Sequence, residues 1–135
     1  SSYQSYAKQV VVNAKALASA LVAEGMRAIS GGTETHLALI DVTTVGVTGK
    51  VADERCGASG ITLNKNSIPF DPNPPAVTSG IRVGTPAVTT QGMGVDQMQV
   101  IANLITRAIK SDDANEHAKI KSEVQSLVTN YPIYA

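Results

Sequence analysis

Aromatic side chains make up only 4% of the 135-residue chain, and tryptophan is absent. A surface that stacks nucleic-acid bases needs such rings, so their shortage argues against that role. Charge of one sign is also missing. Eleven Lys and Arg balance eleven Asp and Glu, which leaves no basic field for a phosphate backbone, and no nucleic-acid partner is expected. The single cysteine, Cys56, excludes a disulfide within the chain and fits a reducing, cytoplasmic setting. No apolar run approaches the ~20 residues of a membrane span, so no membrane partner is expected. The opening residues, SSYQSYAKQ, carry neither a basic-then-apolar leader pattern nor an initiator Met, and the chain reads as cut from something longer. GVTGK lacks the spacing and the trailing Ser/Thr of a phosphate loop, and no G-x-G-x-x-G occurs. His36 and His117 stand far apart with Cys56 near neither, so no metal site is indicated.

What is present is enough for one globular domain: 43% hydrophobic and 16% charged residues over a length that can bury its own core. The stretch SYQSYAKQVVVNAKALASALVAEG predicts a long amphipathic helix. Val10, Ala14, Leu17 and Leu21 form its stripe, Val11, Ala18 and Val22 widen it, and Gly25 follows its end. RAIS predicts a short strand, GGTETH a turn, and HLALIDV a central strand. TGKVADERCGASG predicts a helix capped by Thr48 and stopped near Gly57 or Gly60, with Cys56 as a buried small hydrophobe. ITLNK alternates as a strand does, with Ile61 and Leu63 on one face. Four prolines from Pro69 to Pro75 make the next segment an ordered but irregular loop.

GIRVGT predicts another strand, and GVDQMQVIANLITRAIK a helix with Met98, Ile101, Leu104 and Ile105 inward. The last helix has Asp113 and Glu116 spaced as a capping box, and its stripe is Ile120, Val124, Leu127, Val128 and Tyr131. Pro132 ends it. Helices too few to separate every pair of strands imply an α+β domain, with a small, mostly antiparallel sheet and helices packed on one face. A leading helix spans residues 1–25 and the α+β body residues 26–135.

Arg82 is the sharpest candidate. Period-two alternation puts Ile81 and Val83 on one face of their strand and Arg82 on the other. It is either a solvated surface charge or a cleft residue. Its planar fork of donors matches a carboxylate. Gly80 and Gly84 flank it without side-chain bulk on its own face, which reads as room for a ligand. GTPA then turns the chain, with Pro86 at a helix start. His36, at a strand start, is either bonded to nearby backbone or part of a site.

SGGTETHL, TGKVAD, GITLNKNSIPFDPNPPAVTSGIRVGTPAVTTQGMG and the terminal NYPIYA together resemble the C-terminal part of serine hydroxymethyltransferase, in the right order from about Tyr3 onward. The resemblance implies the C-terminal small domain of a pyridoxal-phosphate enzyme of the aspartate-aminotransferase type (fold type I). Such an enzyme interconverts serine plus tetrahydrofolate with glycine plus methylenetetrahydrofolate. By this resemblance Arg82 grips the amino-acid carboxylate, Asn66 contacts the pteridine ring, and Pro74, Pro75 and Ala76 line its approach. Many relatives carry a larger residue at the place of Ala76. The family's cofactor lysine lies in a TTTHKT-like stretch that has no counterpart here, since TETHL holds no lysine. The resemblance therefore implies that the large pyridoxal-phosphate domain is absent from this chain, that no catalytic residue lies in it, and that it is inactive alone. The intact protein is implied to be a cytoplasmic homo-oligomer. The alternative is a free-standing carboxylate-binding regulatory module using the same arginine.

Overall fold

The computed structural model describes residues 2–29, 37–84 and 93–130. The chain opens with helix α1 (Ser2–Ala23), followed by strands β1 (Arg27–Ala28) and β2 (Leu37–Asp41), a short 3-10 turn at Thr43–Val45, and helix α2 (Gly49–Ala58). Strands β3 (Asn64–Asn66) and β4 (Gly80–Gly84) come next, then helices α3 (Val95–Lys110) and α4 (Ala114–Asn130). The strands form one antiparallel sheet in the order β1-β2-β4-β3. His36, Pro86, Tyr131 and Pro132 lie outside the described residues.

The sheet has two unlike faces. Ala38, Ile40, Ile81 and Val83 point to the helices and are buried, Ile40 and Ile81 completely. Each fully buried Ile stabilises the fold by roughly 1.5–3 kcal/mol. Cross-strand partners share a face, so the row Leu39–Arg82–Asn64 runs along the opposite side. The expected α+β layering, with helices on one face, is therefore present.

Both early helices end as the glycine signals predict. Gly25 takes φ 104°, and Met26 N–H bonds Leu21 O at 3.1 Å while Gly25 N–H bonds Val22 O at 3.0 Å. The same pair of bonds closes α2: Ile61 N–H to Cys56 O at 2.8 Å and Gly60 N–H to Gly57 O at 3.1 Å, with Gly60 at φ 78°. Only a residue without Cβ takes this left-handed step at no steric cost. Thr48 Oγ1 accepts Val51 N–H at 3.3 Å and caps the start of α2.

Several local expectations are corrected. Val22 is exposed, while Asn13 is fully buried on the α1 stripe. Asn13 is satisfied there by donating from Nδ2 to Met93 O at 3.0 Å. The alternating segment ITLNK pairs only from Asn64 onward, though Leu63 still enters the core. Asp113 and Glu116 form no capping box. Asp113 Oδ1 accepts Asn115 N–H at 2.9 Å, and Glu116 turns to Arg107 instead, at 3.1 Å. Arg107 also makes a two-pronged bond to Glu123, at 2.9 and 2.7 Å. These carboxylates raise the Arg107 guanidinium pKa further and tie α3 to α4. Val128 is exposed. Buried His117, unremarked in the stripe, places Nε2 3.1 Å from Ala108 O and 2.7 Å from Ser111 O. It thus binds two carbonyls where α3 ends, at Ala108 and the following Ser111.

Candidate functional site

Three of the chain's four arginines are engaged. Arg27 bridges to Asp41 at 2.9 Å, Arg55 donates to Ile109 O at 2.6 Å, and Arg107 holds Glu116 and Glu123. Arg82 is exposed on the sheet face opposite the described helices and makes no ion pair or hydrogen bond among the described residues. Its strand, β4, is central in the sheet, between β2 and β3, so its backbone is held by ladder bonds on both sides. Directly opposite lie Leu39 on β2 and Asn64 on β3. A planar donor on an anchored strand, with no acceptor among the described residues, is equipped to take an anionic ligand.

Asn66 sits on this same face, paired with Gly80, one diagonal step from Arg82. Its Nδ2 donates to Ser67 O at 2.8 Å. The loop from Ser67 to Ser79 then connects β3 to β4. Pro74, Pro75 and Ala76 are all exposed on it, in a turn closed by Val77 N–H and Thr78 N–H to Pro74 O, each at 2.9 Å. The structure thus places Asn66 beside Arg82 on one sheet face, and the three turn residues on the loop that leads into the arginine's strand.

Gly80 plays a different part from the one expected. A Cβ there would lie 2.8 Å from Asn66 O, 2.8 Å from Ile68 Cγ2 and 3.1 Å from Ile40 O. The missing side chain lets β3 and the loop close onto β4; it does not leave room for a ligand.

The loop is irregular in backbone yet fully organised. Asp71 is its hub. Oδ1 accepts Asn73 N–H at 2.8 Å and Ser79 Oγ–H at 2.6 Å. Oδ2 accepts Ile68 N–H at 3.1 Å and Ser79 N–H at 2.9 Å. Desolvation pushes the carboxyl pKa up, but the Ser79 hydroxyl and the three N–H donors outweigh it and bring it down to about 2. From outside, the start of α2 grips the loop's exit: Gly49 N–H bonds Thr78 O at 3.1 Å and Lys50 N–H bonds Val77 O at 2.9 Å. A Cβ on Gly49 would overlap Thr78 Oγ1 and Gly80 O. Asp71, Ser79 and Gly49 escaped the sequence reading; only the Asp-Pro-Asn run, a turn-forming composition, hinted at Asp71.

All seven lysines are exposed, whereas a Schiff-base lysine is activated by desolvation or by a neighbouring cation. Cys56 is fully buried in α2, and burial, with Asp53 nearby, pushes its thiol up to about 12, so it is no nucleophile. No group of His, Cys, Asp and Glu among the described residues is arranged to hold a metal ion.

Fold and site define an α+β domain that presents an arginine without a partner among the described residues, and a structured loop. The family model for serine hydroxymethyltransferase matches residues 1–105. A serine hydroxymethyltransferase of Myxococcus xanthus is 50% identical over 135 residues, and one of Desulforapulum autotrophicum is 47% identical over 133; each match covers 98% of this chain. The chain belongs to the serine hydroxymethyltransferase family. It spans 32% of the length of each of these curated relatives. The architecture agrees with the C-terminal domain of fold type I enzymes, as the family implies.

Proposed function

We propose that this chain is the small C-terminal domain of a serine hydroxymethyltransferase that interconverts serine plus tetrahydrofolate with glycine plus 5,10-methylenetetrahydrofolate. The observation that carries the reading is Arg82, the arginine left without a partner among the described residues, on a central strand of a domain from this family. Arg82 binds the amino-acid carboxylate through two parallel hydrogen bonds. Asn66 contacts the pteridine, and Pro74, Pro75 and Ala76 line the folate's approach. Pyridoxal phosphate is held by the large domain of the intact protein, because the exposed lysines here do not suit it. The intact protein works in the cytoplasm as a homo-oligomer.

Glycine titrations of the intact protein test the reading. Replacing one member of a bidentate charged pair costs ~2–5 kcal/mol, so Arg82→Ala weakens glycine binding by ~30-fold or more. Equal affinity in the two proteins overturns the assignment.

A further inference from the structure

The two non-glycine residues with positive φ among those described are both in the β3–β4 loop: Phe70 at 56° and Thr78 at 60°. Phe70 is bulky and Thr78 β-branched, and neither type adopts this region without steric cost. Such a conformation persists only where the surroundings over-determine it. Here they do. Thr78 is clamped by Pro74 O on its N–H, Gly49 N–H on its carbonyl and Gly80 O on its hydroxyl, at 3.2 Å. Phe70 directly precedes Asp71, whose carboxylate collects four donors from both limbs of the loop. Asn73 Nδ2 adds a bond to Ser79 Oγ at 2.9 Å. The Phe70 ring itself is wholly exposed, so burial of that ring contributes nothing to holding the strain. The polar hub holds it.

We propose that Asp71 is the positioning residue of the folate loop, locking its strained backbone so that Asn66 and the Pro74–Ala76 turn stand in their binding arrangement before the ligand arrives. This rests on the assignment of the loop to folate. A preformed loop spares binding the cost of ordering it. Asp71's hydrogen bonds run to Ile68, Asn73 and Ser79, and none reaches Arg82's row among the described residues, so the effect is confined to folate.

The test uses the intact protein and titrates tetrahydrofolate and glycine separately by calorimetry. If Asp71→Asn leaves the loop competent about a tenth of the time, the apparent Kd for tetrahydrofolate rises about tenfold. Glycine affinity stays within about twofold, and amide exchange of residues 68–79 accelerates. Ser79→Ala, which removes one bond to the hub, gives a smaller shift in the same direction and serves if Asp71→Asn does not fold. Asn66→Ala separates the two ideas. If it weakens tetrahydrofolate binding while Asp71→Asn and Ser79→Ala do not, the positioning role is wrong and the folate reading stands. If none of the three changes tetrahydrofolate binding, the folate reading itself falls and the positioning role falls with it. Equal loss of glycine and tetrahydrofolate affinity in both hub variants also overturns the positioning role.

Discussion

Arg82 and Cys56 show how environment decides what a reactive side chain does. Arg82 is exposed and faces away from the core, so its guanidinium is open to a ligand. Lysine carries the same charge but cannot form the planar two-pronged contact. Arg82→Lys in the intact protein is therefore expected to bind glycine more weakly than wild type yet better than Arg82→Ala, and ranking the three affinities checks this. Cys56 is the opposite case. With no exposure and a thiol pKa pushed up to about 12, it offers almost no thiolate near neutrality. An aromatic disulfide reagent at pH 8 should label it only after denaturant is added. Prompt labelling of the native chain would contradict its burial.

Elements meet through backbone groups here, and glycine decides where they can. The first residue of α2 presses on the entry to β4 so closely that a Cβ on Gly49 has no space. Gly49→Ala is expected to destabilise the chain by ~1–3 kcal/mol in urea unfolding, as overpacking does. Gly57, in the same helix, meets nothing within 4 Å, and Gly57→Ala should stabilise by up to ~1 kcal/mol through helix propensity. The loop makes its own prediction. The folded carboxyl of Asp71 titrates at about 2 against an ordinary 3.8. Its contribution is thus complete above about pH 4 and is lost as pH falls through 2. The amide shifts of Ile68, Asn73 and Ser79 should titrate near 2; a midpoint near 3.8 would mean that the hub does not hold in solution.

These elements also show what a sequence makes legible. Alternation put Arg82 on the face opposite Ile81 because the pleat has a period of two, whatever the neighbours are. Gly25 and Gly60 announced helix ends because the left-handed step is local. Contacts that close over distance gave no such signal. Asn13 interrupts an apolar stripe, and its partner, Met93 O, lies 80 residues on. The capping-box spacing at Asp113 and Glu116 was real, but Arg107 on the neighbouring helix took Glu116. Asp71 looked like an ordinary turn residue because Ser79, which completes the hub, reaches it only when the loop folds back.

At the scale of the molecule, the proposed function divides the labour between a ligand-positioning domain and the chemistry it serves. A domain can carry a carboxylate arginine and a folded loop without carrying a catalytic group. Here the core is continuous from α1 to α4, and the polar side chains buried within it are bonded, with none left over among the described residues. The isolated chain is therefore expected to fold and unfold cooperatively. It is not expected to turn over serine, because all seven lysines are exposed, without the desolvation that readies a lysine to engage an aldehyde cofactor. Mixed with pyridoxal phosphate, the chain should show only the spectrum of the free cofactor, with no change when glycine is added. Radiolabelled serine should be cleaved no faster than in a protein-free blank containing cofactor and folate. A stoichiometric aldimine band that shifts with glycine would mean that one of these lysines is recruited after all. The domain would then be an enzyme in its own right, and Arg82 would already have its substrate.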